Sequence, residues 1–241
     1  MSEKKNSLIV DAGNTHVKLA HFQDEILVKV IRYESDENEK FISDVNDFKA
    51  KEIFVCSVLS ESDNQKWFSS LNAKYFSHAS KLPLSIDYET PTTLGLDRLA
   101  NAVAAVKSAE GNRLVIDLGT CIKFDVIDKK DRYLGGSISP GLNMRFQALN
   151  HYTGKLPKVE PSTSEDFIGK NTQASIRNGV QQGIQGEINH LIGRYEKEFM
   201  GLTIFVTGGD AKFFDFPQKS NIFALENLTL KGLFYIYKLN D

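Results

Sequence analysis

Two short strings constrain this chain more than anything else in it: Asp11-Ala12-Gly13-Asn14-Thr15 and Asp117-Leu118-Gly119-Thr120, 106 residues apart. An apolar run precedes each, SLIV in one case and RLVI in the other, and an alternating stretch follows each, HVKLAHF and IKFDVID. An apolar run that ends in Asp and Gly and passes into period-two alternation reads as a β-hairpin. Singly, such a turn is ordinary. Its return at the same place in a second strand series is not accounted for by turn chemistry alone. The 241 residues fall awkwardly between one domain and two, and the repeat settles the matter as two similar halves, residues 1–111 and 112–241. Paired halves imply a cleft between them.

Periodicity supplies the remaining elements. In the first half, SLIVDAG, HVKLAHF and EILVKVIRY read as strands, and residues 37–48 read as a helix with Phe41, Val45 and Phe48 on one face. A strand (EIFVCSV), a helix over residues 62–71, a strand (KYFSHA) and an Ala-rich helix over residues 96–109 complete the order βββαβαβα. The second half repeats the three strands with RLVIDLG, IKFDVID and RYLGGSI. Helices are expected over 141–149 and 171–199, then a strand in LTIFVTGG, a short helix around Lys212, a strand in NIFAL and a closing helix over 228–239. Residues 80–93 and 152–166 read as loops, candidate lids or substrate loops.

The chemistry suggested by the turns is that of phosphates. A hairpin turn carrying Gly, Asn and Thr can offer successive backbone N–H groups to an anion, and an Asp at a strand end can hold Mg²⁺ through water. Val206-Thr207-Gly208-Gly209-Asp210-Ala211, after an apolar strand, would let backbone approach a base or sugar closely. Gly95-Leu96-Asp97-Arg98 opens the Ala-rich helix. There the Asp can accept a hydroxyl proton and the Arg can fork onto a carboxylate or phosphate, although an Asp in a first helical turn is also an ordinary capping residue. A P-loop is excluded, because Tyr152-Thr153-Gly154-Lys155-Leu156 lacks both the upstream Gly and the following Ser or Thr.

Other classes fall away on charge and thiols. With 29 basic and 31 acidic residues the net charge is −2 and the pI is near 6.2, so no global positive field gathers nucleic acid or an anionic membrane. Cys56 and Cys121 sit in separate strands and read as small buried hydrophobes. The five histidines, His16 among them, show no metal-ligand spacing. The start, MSEKKNSLIVDAGNT, turns from charge straight into a strand, which with no apolar run of about 20 residues leads us to expect a cytoplasmic protein.

The ordered set DAGNTHVK, Tyr88 with Pro91 ahead of GLDR, VIDLGTC, GGSISPGL, GKNTQASIRNGV and VTGGDA resembles the type III pantothenate kinases, over nearly the whole chain. The resemblance implies an α/β fold, the duplicated ribonuclease H-like, actin-like ATPase fold, with an ATP cleft between two βββαβαβα halves. It implies ATP-dependent phosphorylation of pantothenate with Mg²⁺ and a monovalent cation, K⁺ or NH₄⁺, in a homodimer. Carried across residue by residue, the ATP phosphate segment falls on Asp11, Ala12, Gly13, Asn14, Thr15, His16, Val17 and Lys18, with Thr120 as a second ATP contact. The monovalent-cation ligand falls on Asp117. Pantothenate contacts fall on Tyr88, seven residues before Gly95, on Gly95, Leu96, Asp97 and Arg98, and on Thr172, which the family can supply across a dimer interface. Asp97 matches the proton acceptor. Pairing Arg98 with the substrate carboxylate is a physical inference from its fork of donors.

One stretch departs from the family pattern: after the DxGT the family carries small residues, whereas this chain has Cys121-Ile122-Lys123. Lys123 could pair with Asp125 or an acidic loop, touch nucleotide, or simply face water on a surface strand. Two other functions stay open on the same fold, a non-catalytic nucleotide-binding transcription accessory regulator and a kinase of another small molecule, because fold alone does not fix substrate.

Overall fold

A computed structural model of the chain describes residues 5–162 and 167–241. Strands β1 (Asn6–Ala12), β2 (Val17–Gln23) and β3 (Ile26–Tyr33) form an antiparallel meander, and α1 (Asn38–Asp47), β4 (Ile53–Ser57), α2 (Glu61–Phe68) and β5 (Ala73–Tyr75) follow. β4 lies parallel to β1 and β5 parallel to β4, which gives a five-stranded sheet of order β3-β2-β1-β4-β5. β1 and β4 are buried along most of their length, as central strands covered on both faces should be. After β6 (Ser85–Ile86) and a 3-10 turn over Pro91–Thr93, helix α3 runs from Leu96 to Ser108.

The meander then recurs as β7 (Arg113–Leu118), β8 (Cys121–Ile127) and β9 (Arg132–Pro140), followed by α4 (Leu142–His151), α5 (Thr172–Glu198), β10 (Thr203–Thr207), β11 (Ile222–Ala224) and α6 (Leu228–Asn240). The second sheet has six strands in the order β11-β10-β7-β8-β9-β6. β10 lies parallel to β7 just as β4 lies parallel to β1, so the duplication read from the two Asp turns is real at the level of topology. Two segments differ from the sequence reading. The short helix around Lys212 is a single 3-10 turn, Ala211–Phe213, because Phe214 is already extended and Pro217 bars helix beyond it. The segment 80–93, read as loop, contains the edge strand β6 and the 3-10 turn. Of the candidate lid at 152–166, residues 163–166 lie outside the described residues.

The chain forms two compact units, Met1–Ser85 with Glu89–Ala104 and Leu228–Asp241, and Ile86–Tyr88 with Ala105–Asn227. The sequence reading divides the chain at 111/112; the compact units divide within α3 and return α6 to the first unit. Aromatic packing explains that return. Phe234 of α6 stacks on Phe22 at 4.1 Å and Tyr237 meets Phe54 at 5.6 Å. Elsewhere in this unit Tyr33, Phe41, Trp67 and Phe68 interlock edge to face, a geometry that suits the ring quadrupoles. In the second unit, Ile176, Val180, Ile184, Ile188 and Ile192 fall at steps of four along α5 and bury one helix face.

Candidate active site

The first hairpin places Asp11 at the end of β1, with Lys18 opposite it on β2. The Gly13 N–H closes the turn onto the His16 carbonyl at 3.1 Å, and the Ala12 carbonyl accepts from the Val58 N–H at 3.0 Å. Ala12 and Val17 are thereby fixed in the core while Asn14 and Thr15 stand exposed. His16 contacts Arg32 and lies 3.1 Å from a Glu34 oxygen. Burial, and then the Arg32 charge, hold its imidazole below the ordinary histidine range against the pull of Glu34.

Beside this turn, β4 sets Cys56 against Asp11 in register. The thiol is buried and is pushed well above its usual range, chiefly by desolvation and further by the carboxylates of Asp11 and Asp97. One thiol therefore feels both candidate carboxylates. Asp97 is half-buried in the first turn of α3, where its Oδ1 accepts the Arg98 N–H at 2.9 Å. The helix begins beneath it with the Leu99 N–H donating to the Gly95 carbonyl at 3.2 Å. Arg98 is only 5% exposed, which is rare for a guanidinium and needs anionic or acceptor partners to be tolerated.

The second hairpin has the same plan with a different outcome. Asp117, the penultimate residue of β7, lies opposite Lys123 of β8, and the Lys123 Nζ lies 2.8 Å from Asp117 Oδ2, the two side chains being 15% and 13% exposed. Of the fates open to Lys123 in the sequence, an ion pair is present, and Asp117 is a partner in it. Thr120 is exposed at the turn. Gly141, the residue before α4, donates its N–H to the Thr120 carbonyl at 3.1 Å. A Cβ on Gly141 would meet the Gly119 and Thr120 carbonyl oxygens at 2.2 and 2.4 Å, so only glycine lets the N-terminus of α4 sit against this turn.

Asp210 joins the same unit. Its N–H donates to the Leu118 carbonyl at 3.0 Å, and its carboxyl is held above the ordinary range by burial and by the Asp117 charge, with Lys212 opposing. The glycine of VTGGDA that permits a close approach is Gly208, with φ of +98° and a would-be Cβ 2.2 Å from the Leu118 oxygen. That approach is to the protein's own β7 end, whereas a Cβ on Gly209 would meet nothing within 4 Å.

Tyr88 is half-buried and meets Tyr133 edge to face at 6.1 Å. The Tyr133 hydroxyl in turn donates to Asp125 at 2.6 Å. Thr172 is exposed at the start of α5, while its neighbour Asn171 caps the helix by accepting the Ala174 N–H at 2.9 Å. The first unit thus gathers Asp11 and Asp97 around Cys56, and the second gathers Asp117, Lys123 and Asp210. Sequence reasoning missed the part played by Lys123 and Asp210. The signal was present for Lys123, since Lys18 stands in the same relation to Asp11 across the first hairpin.

Two sheets built on repeated meanders, each with an Asp at the end of its first strand, define the fold of the actin-like ATPases and sugar kinases. Solved structures agree on the fold. A candidate Baf family transcriptional activator from Campylobacter jejuni superposes with a TM-score of 0.61 at 23% identity, covering 96% of this chain and 97% of that one. A candidate 2-dehydro-3-deoxygalactonokinase from Sinorhizobium meliloti gives 0.57 at 12% identity, covering 96% of each. The chain itself belongs to the type III pantothenate kinase family, whose model matches residues 7–194. The type III pantothenate kinase of Flavobacterium johnsoniae is 38% identical, over 97% of this chain and 99% of its own length.

Proposed function

We propose that this chain transfers the terminal phosphoryl group of ATP to the 4′-hydroxyl of pantothenate, giving 4′-phosphopantothenate, the first step of coenzyme A biosynthesis. The observation that carries this reading is the family match, whose span of 7–194 takes in every candidate residue from Asp11 to Thr172.

In a loose phosphoryl-transfer transition state, alignment and charge neutralisation do most of the work. The Asp11–Lys18 hairpin is assigned to the ATP phosphates, with the amides beyond Gly13 and the Lys18 ammonium as donors. Thr120 is assigned a second ATP contact, favoured by the N-terminus of α4 held next to it. Asp97 orients the pantothenate hydroxyl and takes its proton late, at a carboxylate oxygen. Tyr88, Gly95, Leu96, Arg98 and Thr172 are assigned to pantothenate, Arg98 as the partner of its carboxylate. The planar fork of guanidinium donors suits a carboxylate, and that chemistry supports the pairing.

A divalent metal accompanies ATP, and Mg²⁺ is the ion proposed. Among the described residues no group of three or more His, Cys, Asp or Glu side chains is placed to hold a metal. Mg²⁺ would be carried mainly by phosphate oxygens and water, with the Asp11 carboxylate near the end of β1 as its protein anchor. When bound, Mg²⁺ withdraws charge from the transferring phosphoryl group. For a monovalent cation at Asp117 the residues do not fit, since Lys123 already holds that carboxylate, and no step is routed through K⁺ or NH₄⁺.

The chain is proposed to act in the cytoplasm as a homodimer, with neither nucleic acid nor membrane as a partner. Supporting the dimer, Phe167 and Ile168 are 75% and 71% exposed just ahead of Thr172. Two free thiols suit a reducing compartment, and among the described residues no helix is long and apolar enough to cross a membrane. The test of function is ADP release by the purified protein with Mg²⁺ and ATP. Release that depends on pantothenate supports the reading. ATP binding without pantothenate-dependent turnover, or turnover only with another acceptor, overturns it.

A further inference from the structure

The Asp117 carboxylate has a built-in counter-ion. Lys123 faces it across the β7–β8 ladder, with Nζ 2.8 Å from Oδ2 and both side chains largely withdrawn from water. The neighbouring Asp210 carboxyl adds negative charge that acts on Asp117's surroundings, while Lys212 answers Asp210. We infer that the Lys123 ammonium supplies at Asp117 the single positive charge that a monovalent cation would otherwise bring, so that this chain turns over without added K⁺ or NH₄⁺.

This rests on the kinase reading above, and its physics is simple. A lysine head group is a compact, strongly hydrated unit charge with three N–H donors, in effect a substituted ammonium ion on a tether. Even a short flexible tether holds its end group at millimolar effective concentration, and here the stem is packed in a strand, so the position is filled whatever the salt. A second cation brought within about 4 Å of that ammonium would be disfavoured roughly a thousandfold at the screening usual near a protein surface. The rival role, a direct nucleotide contact like that assigned to Lys18, makes a different prediction: loss of Lys123 would raise the KM for ATP regardless of the salt present.

The experiment compares the full chain with its Lys123→Ala variant in choline, potassium and ammonium chlorides at one ionic strength. Pantothenate-dependent ADP release and thermal unfolding are read in each. For the wild type, turnover is expected to differ by less than about twofold between choline and potassium, with Tm unchanged. Lys123→Ala is expected to lose at least about tenfold in choline, to recover most of it in potassium or ammonium, and to gain a Tm that climbs with K⁺ concentration, as ligand linkage requires. Activation of the wild type tenfold or more by K⁺ overturns the inference. So does a Lys123→Ala variant indifferent to K⁺ in both readouts, or one whose only defect is a raised KM for ATP. If no salt supports pantothenate-dependent turnover, the kinase reading fails on its own, and the Tm response of Lys123→Ala to K⁺ still decides the cation site. Should Lys123→Ala not fold, Lys123→Met, which keeps the packed stem, is judged by the same criteria.

Discussion

Asp97→Asn separates a proton acceptor from a helix cap. In the structure the Asp97 Oδ1 accepts the Arg98 N–H at 2.9 Å, within the first turn of α3. Asparagine keeps that oxygen, the side-chain volume and the acceptor lone pairs, and Asn and Asp rank alike as caps. Only the negative charge and the capacity to take a proton are lost. The loss of charge near a helix N-terminus costs about 0.3–1 kcal/mol, which for a chain of this size lowers Tm by at most about 4 °C. The variant should therefore be folded at assay temperature. A positioned base contributes about 10²–10⁴ in rate, or roughly 3–5 kcal/mol of barrier at 1.4 kcal/mol per decade. Steady-state assays of pantothenate-dependent ADP release should show kcat down by that factor. Because the ATP turn is untouched, the KM for ATP should stay within about twofold. A kcat within threefold of wild type, alongside the small Tm change, would make Asp97 a cap and nothing more, and the assignment of the acceptor would be wrong.

Asp210→Asn should raise Tm at pH 7. Burial and Asp117 hold the folded-state pKa of Asp210 above its unfolded value, so its ionised form costs stability at neutral pH, and the gain from Asn should shrink as the pH falls through the folded-state pKa. A scan of Tm against pH that shows no gain at pH 7 contradicts this. Gly208→Ala should destabilise by roughly 2–5 kcal/mol, from left-handed strain and overpacking together, because φ is +98° and the new methyl would lie 2.2 Å from the Leu118 oxygen; an unaltered melting curve would refute it. His21 is buried against Phe48 and its pKa is lowered, first by desolvation and then by Lys29. Its contribution to stability is complete above about pH 6.5 and is lost as the pH falls through the depressed folded-state value. Tm should accordingly fall less between pH 7 and pH 5 in His21→Gln than in the wild type.

Much of the architecture was legible because the strongest signals were local. Apolar runs ending in Asp and Gly marked β1 and β7, and the one-face spacing of Phe41, Val45 and Phe48 marked α1. What escaped was decided by partners distant in sequence. Nothing within LKGLFYIYKL says that α6 packs on β1 and β4; that depends on Phe22 and Phe54 presenting rings more than 180 residues earlier in the chain. The two-residue strand β6 is likewise held by β9 rather than by its own propensity. At the site, the Asp turns and the GLDR segment stood out by residue type, while Thr172 entered only through the family resemblance. Asp210 did not, because its altered titration arises from burial and from Asp117, neither of which spacing reveals.

The two hairpins also explain how one duplicated element can serve two ends. In both, the Asp next to the end of the first strand faces a Lys on the second: Asp11 and Lys18, Asp117 and Lys123. Between the last paired residues the first loop has four residues, Gly13 to His16, and the second has three, Gly119 to Cys121. The longer loop closes with the Gly13 N–H on the His16 carbonyl and leaves Asn14 and Thr15 exposed, an arrangement suited to an anion. The shorter loop is packed under Gly141, and its Lys is drawn onto the Asp in a partly buried ion pair. Breaking one side of such a pair leaves a charge without its counter-ion, which is costlier than never having had the pair. A cation-responsive Lys123→Ala is thus the outcome this hairpin predicts, while Lys18→Ala, in the more open turn, should weaken ATP binding without acquiring any dependence on K⁺.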